Sequence, residues 1–253
     1  MSPKAGRLRV GTSGYQYAHW KGAFYPPELP KKNWFAYYAH RFNTFAYYAH
    51  RFNTVEINNT FYRLPAAHSF DAWRGQAPEG FCYALKFSRY ATHLKHLKEP
   101  HEPIKRFLER ASQLGRFIGP ILVQLPPHWR VDPERLNTFL QAAPRYYRWA
   151  VELRDPRWLC NEVYGILRAY GAALCIHDLL DNHPQQLTAD WGYWRFHGVS
   201  HGGNYPRQTL MTHAGALKQY VRDGLDVFVY FNNDAHGYAV QNAADLRRYA
   251  SGG

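Results

Sequence analysis

Eight short apolar runs, most of them separated by stretches of helical character, constrain this chain more than any other feature of its sequence. The runs lie at 8–11, 54–57, 81–86, 121–125, 150–153, 173–177, 193–197 and 227–231. Helix candidates fall between or after them at 103–114, 133–142, 161–170, 212–223 and 235–249. Pro103 and Pro133 suit a first helical turn, and Asp132 is placed to cap the second of these helices. Strands alternating with helices imply a parallel sheet, and eight repeats in about 250 residues match a (β/α)8 TIM-type barrel, regular or irregular in detail. The competing open doubly wound sheet normally carries a glycine-rich phosphate loop. Gly11-Thr-Ser-Gly14 is a turn with two glycines and no more, and no strand is followed by GxGxxG or GxxxxGK[ST].

The 253 residues, 46% hydrophobic and 20% charged, contain no low-complexity tract or long linker, so one domain over 1–253 is expected. Neither a signal-like N-terminus nor a run of the roughly 18–20 apolar residues needed to span a membrane is present, which predicts a cytoplasmic protein with no membrane partner. Three cysteines without CxxC spacing point to thiols rather than a disulfide framework or a zinc site. A net charge of +12 attracts anions: nucleic acid, phosphorylated small molecules or anionic surfaces. Nothing in the composition indicates an oligomeric state.

The segment Phe-Ala-Tyr-Tyr-Ala-His-Arg-Phe-Asn-Thr occurs at 35–44 and again at 45–54, a tandem duplication of ten residues. One copy suffices as an amphipathic helix leading into the second strand. Ten residues at about 100° each leave the second apolar stripe about 80° from the first, so one straight helix cannot dock both copies alike. The second copy is expected to hold the native register, and the first to form an added turn, kink or bulge. A recent duplication or cloning event explains it better than a functional repeat, whose periods are longer.

Ala150-Val-Glu-Leu-Arg-Asp-Pro156 puts Glu152 and Arg154 on one face of an otherwise apolar strand, since successive side chains alternate. The same pattern recurs at other strand ends. Glu56 and Asn58 end the second run, Lys86 the third, Gln124 the fourth, His177 followed by Asp178 the sixth, Arg195 and His197 the seventh, and Asn232 and Asn233 the eighth. In a barrel these ends open onto one mouth. Buried charges need partners, so the set implies mutual pairing or a ligand; Glu152 and Arg154 could simply neutralise each other. Lys86, Arg154 and Arg195 favour phosphate or carboxylate and oppose a cation, so no tightly bound metal is predicted and the cofactor is left open. Ser13, in a Gly-Thr-Ser-Gly turn, lacks the setting of a serine nucleophile. Loop aromatics such as Trp20, Tyr62 and Trp158 either cap the core or stack on bases and sugars.

Together the motifs resemble the YecE-like family of uncharacterised proteins. They are Val10-Gly-Thr-Ser-Gly14 with Trp20 to Pro26, Val55-Glu-Ile-Asn58 with Thr60-Phe-Tyr62, and Lys86-Phe-Ser-Arg89 with Thr92-His93. Gln124-Leu-Pro-Pro127, Val151-Glu-Leu-Arg154 with Trp158, Arg195-Phe-His-Gly198 and Tyr230-Phe-Asn-Asn-Asp234 with 239–243 complete the series. The resemblance implies a TIM-barrel-like fold, similar in outline to endonuclease IV and the xylose isomerase group, and no settled activity. The duplication and the weakly matched segment 199–212 depart from the pattern.

The leading expectation is a barrel binding a phosphate-bearing ligand or nucleic acid, with phosphodiester or sugar-phosphate hydrolysis or lysis as its enzymatic form. Glu56 and Glu152 would do acid–base work, with His177 and His197 moving or orienting protons. Lys86, Arg89, Arg154 and Arg195 would hold the anion, with Asn58, Tyr62, His93, Gln124, Asp178, Asn232 and Asn233 completing the binding set. The alternatives are a non-catalytic nucleic-acid-binding barrel and a metal-assisted sugar isomerase or lyase, the last requiring Glu152, His177 and His197 to converge on a cation.

Overall fold

The computed structural model describes residues 5–39, 52–200 and 202–252. The strands are β1 (Leu8–Thr12), β2 (Thr54–Ile57), β3 (Cys82–Lys86), β4 (Ile118–Gln124), β5 (Trp149–Glu152), β6 (Ala173–His177), β7 (Trp191–Phe196) and β8 (Asp226–Phe231). The helices are α1 (Trp34–Ala39), α2 (Asn59–Tyr62), α3 (Ala67–Gln76), α4 (His101–Ala111), α5 (Pro133–Ala142), α6 (Asn161–Tyr170), α7 (Arg207–Arg222) and α8 (Tyr238–Ser251). The strands form one parallel sheet in the order β1-β8-β7-β6-β5-β4-β3-β2. A parallel bridge between Ser13 and Glu56 joins the two ends of that order, giving the TIM-type arrangement. Closure needs a glycine: a Cβ on Gly11 would lie 2.2 Å from the carbonyl oxygen of Thr54.

The strands were readable because both faces are covered. β2, β3, β5, β6 and β7 are buried at every position, so they read as continuous apolar runs rather than alternations. β4 starts three residues before the expected run, because Gly119 and Pro120 look like turn residues while Pro120 sits at the register shift against β3, where a missing N–H is tolerated. The Asp132 carboxylate accepts from Arg135 N–H at 3.0 Å, as an N-cap should. α7 begins five residues ahead of expectation, after Pro206. α8 begins three residues late, because His236 and Gly237, at φ 53° and 75°, form a separate turn. Among the described residues the alternation fails once: residues 178–190, between β6 and β7, contain no helix. There Thr188 Oγ1 donates to Ala172 C=O at 2.7 Å and accepts from Leu174 N–H at 2.8 Å, so a side chain satisfies two backbone groups at the start of β6.

By internal packing the chain forms two compact units, 1–56 with 76–82 and 194–253, and 57–75 with 83–193. The first has an aromatic core in which Tyr25 and Trp34 stack at 4.6 Å and Tyr38 meets Phe52 at 4.8 Å. In the second, Phe87 meets Phe107, Phe139 and Trp149 edge-on at 5.0, 5.6 and 5.9 Å. Each such fully buried side chain contributes about 1.5–3 kcal/mol by area removed from water.

Of the duplication, 35–39 of the first copy and 52–54 of the second are described. Phe35 and Tyr38 of the first copy are buried in α1, and Tyr38 Oη donates to Thr54 C=O at 3.0 Å. The expected docking of the second copy's helix falls on residues outside those described. Phe52 N–H donates to Tyr38 C=O at 3.2 Å. With ten residues removed, that bond would become the i to i+4 bond of an uninterrupted helix.

Candidate functional site

Within the first unit, Glu56 is completely buried and Arg195 is 1% exposed. Arg195 Nη2 donates to Glu56 Oε1 at 2.9 Å and to Ser13 Oγ at 3.0 Å, while Ser13 Oγ donates to Glu56. Arg195 Nη1 lies 3.4 Å from His197 Nε2. The turn after β1 thus supplies a hydroxyl that satisfies carboxylate and guanidinium together, which is how a buried ion pair is made tolerable. Beneath it Tyr230 Oη lies 2.7 Å from Thr54 Oγ1, and burial pushes the Tyr230 phenol well above its ordinary range. Asn233 serves a neighbouring loop: its Nδ2 donates to Gly203 C=O at 3.0 Å and to Asn242 Oδ1 at 2.9 Å. Asn232 is half-buried beyond β8, its N–H bonded to Phe196 C=O at 2.7 Å.

Within the second unit, register alone assembles a polar face. Lys86 pairs with Leu122 and Gln124 with Glu152, and residues two apart share a face, so Lys86, Gln124, Glu152 and Arg154 project together. Arg154 Nε donates to Glu152, and its Nη2 lies 3.4 Å from Gln124 Oε1. Cys175 Sγ lies 4.0 Å from Glu152 Oε2. Lys86 is 8% exposed, and its ammonium sits 4.3 Å over the Phe61 ring. Phe61 also meets the His93 imidazole edge-on at 5.1 Å. His93 lies in a π-helical turn (Tyr90–Leu94), followed by His96, Leu97 and Glu99 at positive φ, a strained connection of the kind that fixes functional loops. Arg89, at the head of that turn, is exposed.

The two clusters differ in their cations. Arg195 meets Glu56 in an ion pair, whereas in the second unit Lys86, Arg89 and Arg154 all act on the His93 imidazole and Glu152 accepts from Arg154. His93 registers these cations: burial first, then Lys86, Arg89, Arg154 and His96, lower its pKa from 6.5 to about 4.

Other expected residues are placed differently. His177 Nε2 donates to Leu153 C=O at 2.8 Å, and its Nδ1 accepts from Leu179 N–H at 3.2 Å, so backbone groups hold both ring nitrogens. Asp178 is exposed, Asn58 is half-buried before α2, and Tyr62 is 76% exposed. No group of three or more His, Cys, Asp or Glu residues among those described could hold a metal ion. Two contributors were missed from sequence. Ser13 signalled itself only by its turn. Phe61, one of the loop aromatics expected after the second strand, seats Lys86. His183 packs on His177 at 4.5 Å from within the helix-free connection, and burial, then His177, lowers its pKa to about 4.

A family model described as "Protein of unknown function DUF72" matches residues 9–46 and 43–252, restarting within the duplication. Protein YecE of Escherichia coli K12 is 33% identical over 110 residues, which cover 42% of this chain and 40% of that protein, so the match spans well under half of the curated relative. A DUF72 family protein of Thermotoga maritima has a similar structure, with TM-score 0.85 and 26% identity over 96% of this chain and 99% of that one. A second, from Enterococcus faecalis, is similar in fold at TM-score 0.74, with 19% identity over 98% of this chain and 99% of that one.

Proposed function

Because the chain belongs to the DUF72 family, whose description assigns no activity, its function has to be argued from its own side chains, and we propose that the second unit's strand-end cluster binds a phosphate-bearing ligand. The observation that carries this reading is the gathering of cations: strand register sets Lys86 and Arg154 on one face, and both, with Arg89, act on the His93 imidazole. An anion there would relieve like-charge repulsion in a partly buried setting, where such interactions are screened little. The planar guanidinium of Arg154, oriented by Glu152 and Gln124, suits a phosphoryl oxygen, and Lys86 supplies a compact second charge.

Binding fits this geometry better than acid–base chemistry does. Glu56 and Glu152 each accept from an arginine, and His177 is held by backbone at both nitrogens. In the enzymatic form of the reading, Glu152 is the group at the ligand. Titration calorimetry with inorganic phosphate and with a sugar phosphate tests both. Lys86→Ala should weaken binding at least about tenfold, the scale of one charge-assisted contact. Glu152→Gln should spare affinity, and should abolish turnover of any ester the protein cleaves. Phosphate affinity unchanged by Lys86→Ala would refute the site.

A further inference from the structure

Three consecutive residues join the anion cluster to a second basic feature. Phe61 lies under the Lys86 ammonium, Tyr62 stands 76% exposed with its ring edge-on to Phe61 at 5.0 Å, and Arg63 lines a cavity of about 710 Å³. The cavity lies between the segment entering α3 and the flank of α4, and Arg106 and Arg110 line it with Arg63. Arg106 and Arg110 are four apart on one helix, neighbours of like charge that oppose helix stability. Glu102 and Glu109 line the same cavity, yet among the described residues no ion pair engages any of these three arginines. The cavity thus sets three guanidiniums against two carboxylates, a net positive lining that favours a ligand carrying negative charge.

The spacing argues for a polymer. Neighbouring Cα atoms lie about 3.8 Å apart, so Phe61 and Arg63 are separated by no more than about 8 Å, with an exposed aromatic face between two cationic sites. Cation, ring, cation in series matches phosphate, base, phosphate along a single strand, in which bases stack on aromatic side chains while the backbone follows positive charge. A small phosphate ester would need neither the Tyr62 face nor the second basic cavity. We infer that the ligand is single-stranded nucleic acid, with Lys86 and Arg154 at one phosphate, Tyr62 stacked on a base, and the Arg63, Arg106 and Arg110 cavity taking the next stretch of backbone. This rests on the anion reading of the Lys86 cluster.

The test uses fluorescence anisotropy of a labelled ten-residue oligothymidylate with the full chain, over about 50–200 mM salt. Arg106→Ala/Arg110→Ala should weaken binding at least tenfold and flatten the dependence of log affinity on log salt by about 1.4, at about 0.7 per lost phosphate contact on a single strand. Tyr62→Ala should weaken it about tenfold with the salt slope unchanged. A control double variant, Arg168→Ala/Arg222→Ala, removes the same charge elsewhere on the surface and should have little effect. Equal losses in both double variants, no loss with Tyr62→Ala, or no binding by the wild-type chain at low salt would each overturn the inference. The two readings separate through inorganic phosphate: if Lys86→Ala abolishes phosphate binding while the cavity variants leave oligonucleotide affinity unchanged, the anion site stands and the strand reading fails. If phosphate binding ignores Lys86→Ala, the anion site itself fails.

Discussion

Glu56 and Glu152 look alike in sequence, each the polar residue of an apolar strand, yet their surroundings give them different roles. Glu56 shares Arg195 and the Ser13 hydroxyl in a fully buried, charge-balanced knot. Removing one partner of such a pair leaves the other charge uncompensated, at a cost of about 3–5 kcal/mol. Glu56→Ala should therefore lower stability by about that amount in urea unfolding. A loss below about 1 kcal/mol would show that Arg195 has another adequate counter-charge. Glu152 pairs with an Arg154 whose side chain is 23% exposed, so solvent shares the work of balancing it. That polar residues gather at strand ends was legible from the period of two. Which end balances its charge was not, because the balance depends on Ser13, Lys86 and Phe61, whose partners lie far away in the chain.

Among the elements, the buried strands were legible because parallel strands covered on both faces become apolar runs. The missing helix between β6 and β7 was not legible. Nothing in residues 178–190 announces that Thr188 will satisfy backbone groups at the start of β6 with a side chain. α1 shows a subtler limit. The sequence assigned the native register to the copy beside the strand, since adjacency in the chain was the only criterion available. The second copy's helix lies outside the described residues; within them, Tyr38 of the first copy is bonded to Phe52 of the second, across the repeat. The family model's restart at residue 43 falls in the same place, consistent with a pattern that contains one copy. Deleting residues 42–51 should therefore leave a folded chain whose Tm equals or exceeds that of the full sequence, because loop-closure entropy falls with the shorter connection. A clearly lower Tm in thermal melts would show that both copies contribute packing.

At the scale of the whole molecule, a net charge of +12 says only that anions are attracted. Charge distribution says more: in the second unit Lys86, Arg89 and Arg154 gather at the proposed site. His93 reports on those cations, being held neutral down to about pH 4 by burial and by Lys86, Arg89 and Arg154. Its folded-state pKa lies below the ordinary 6.5, so its contribution to stability is complete above about pH 6.5 and is lost as pH falls through about 4. A bound anion offsets the cations and raises that pKa, and by linkage anion affinity must then increase as pH falls. The most direct measurement is an NMR titration of His93 with and without sulfate, whose charge is constant over this range. The His93 pKa should start near 4, rise when sulfate is added, and in Lys86→Ala start higher and respond little to sulfate. A His93 pKa that ignores both sulfate and the loss of Lys86 would contradict the anion site.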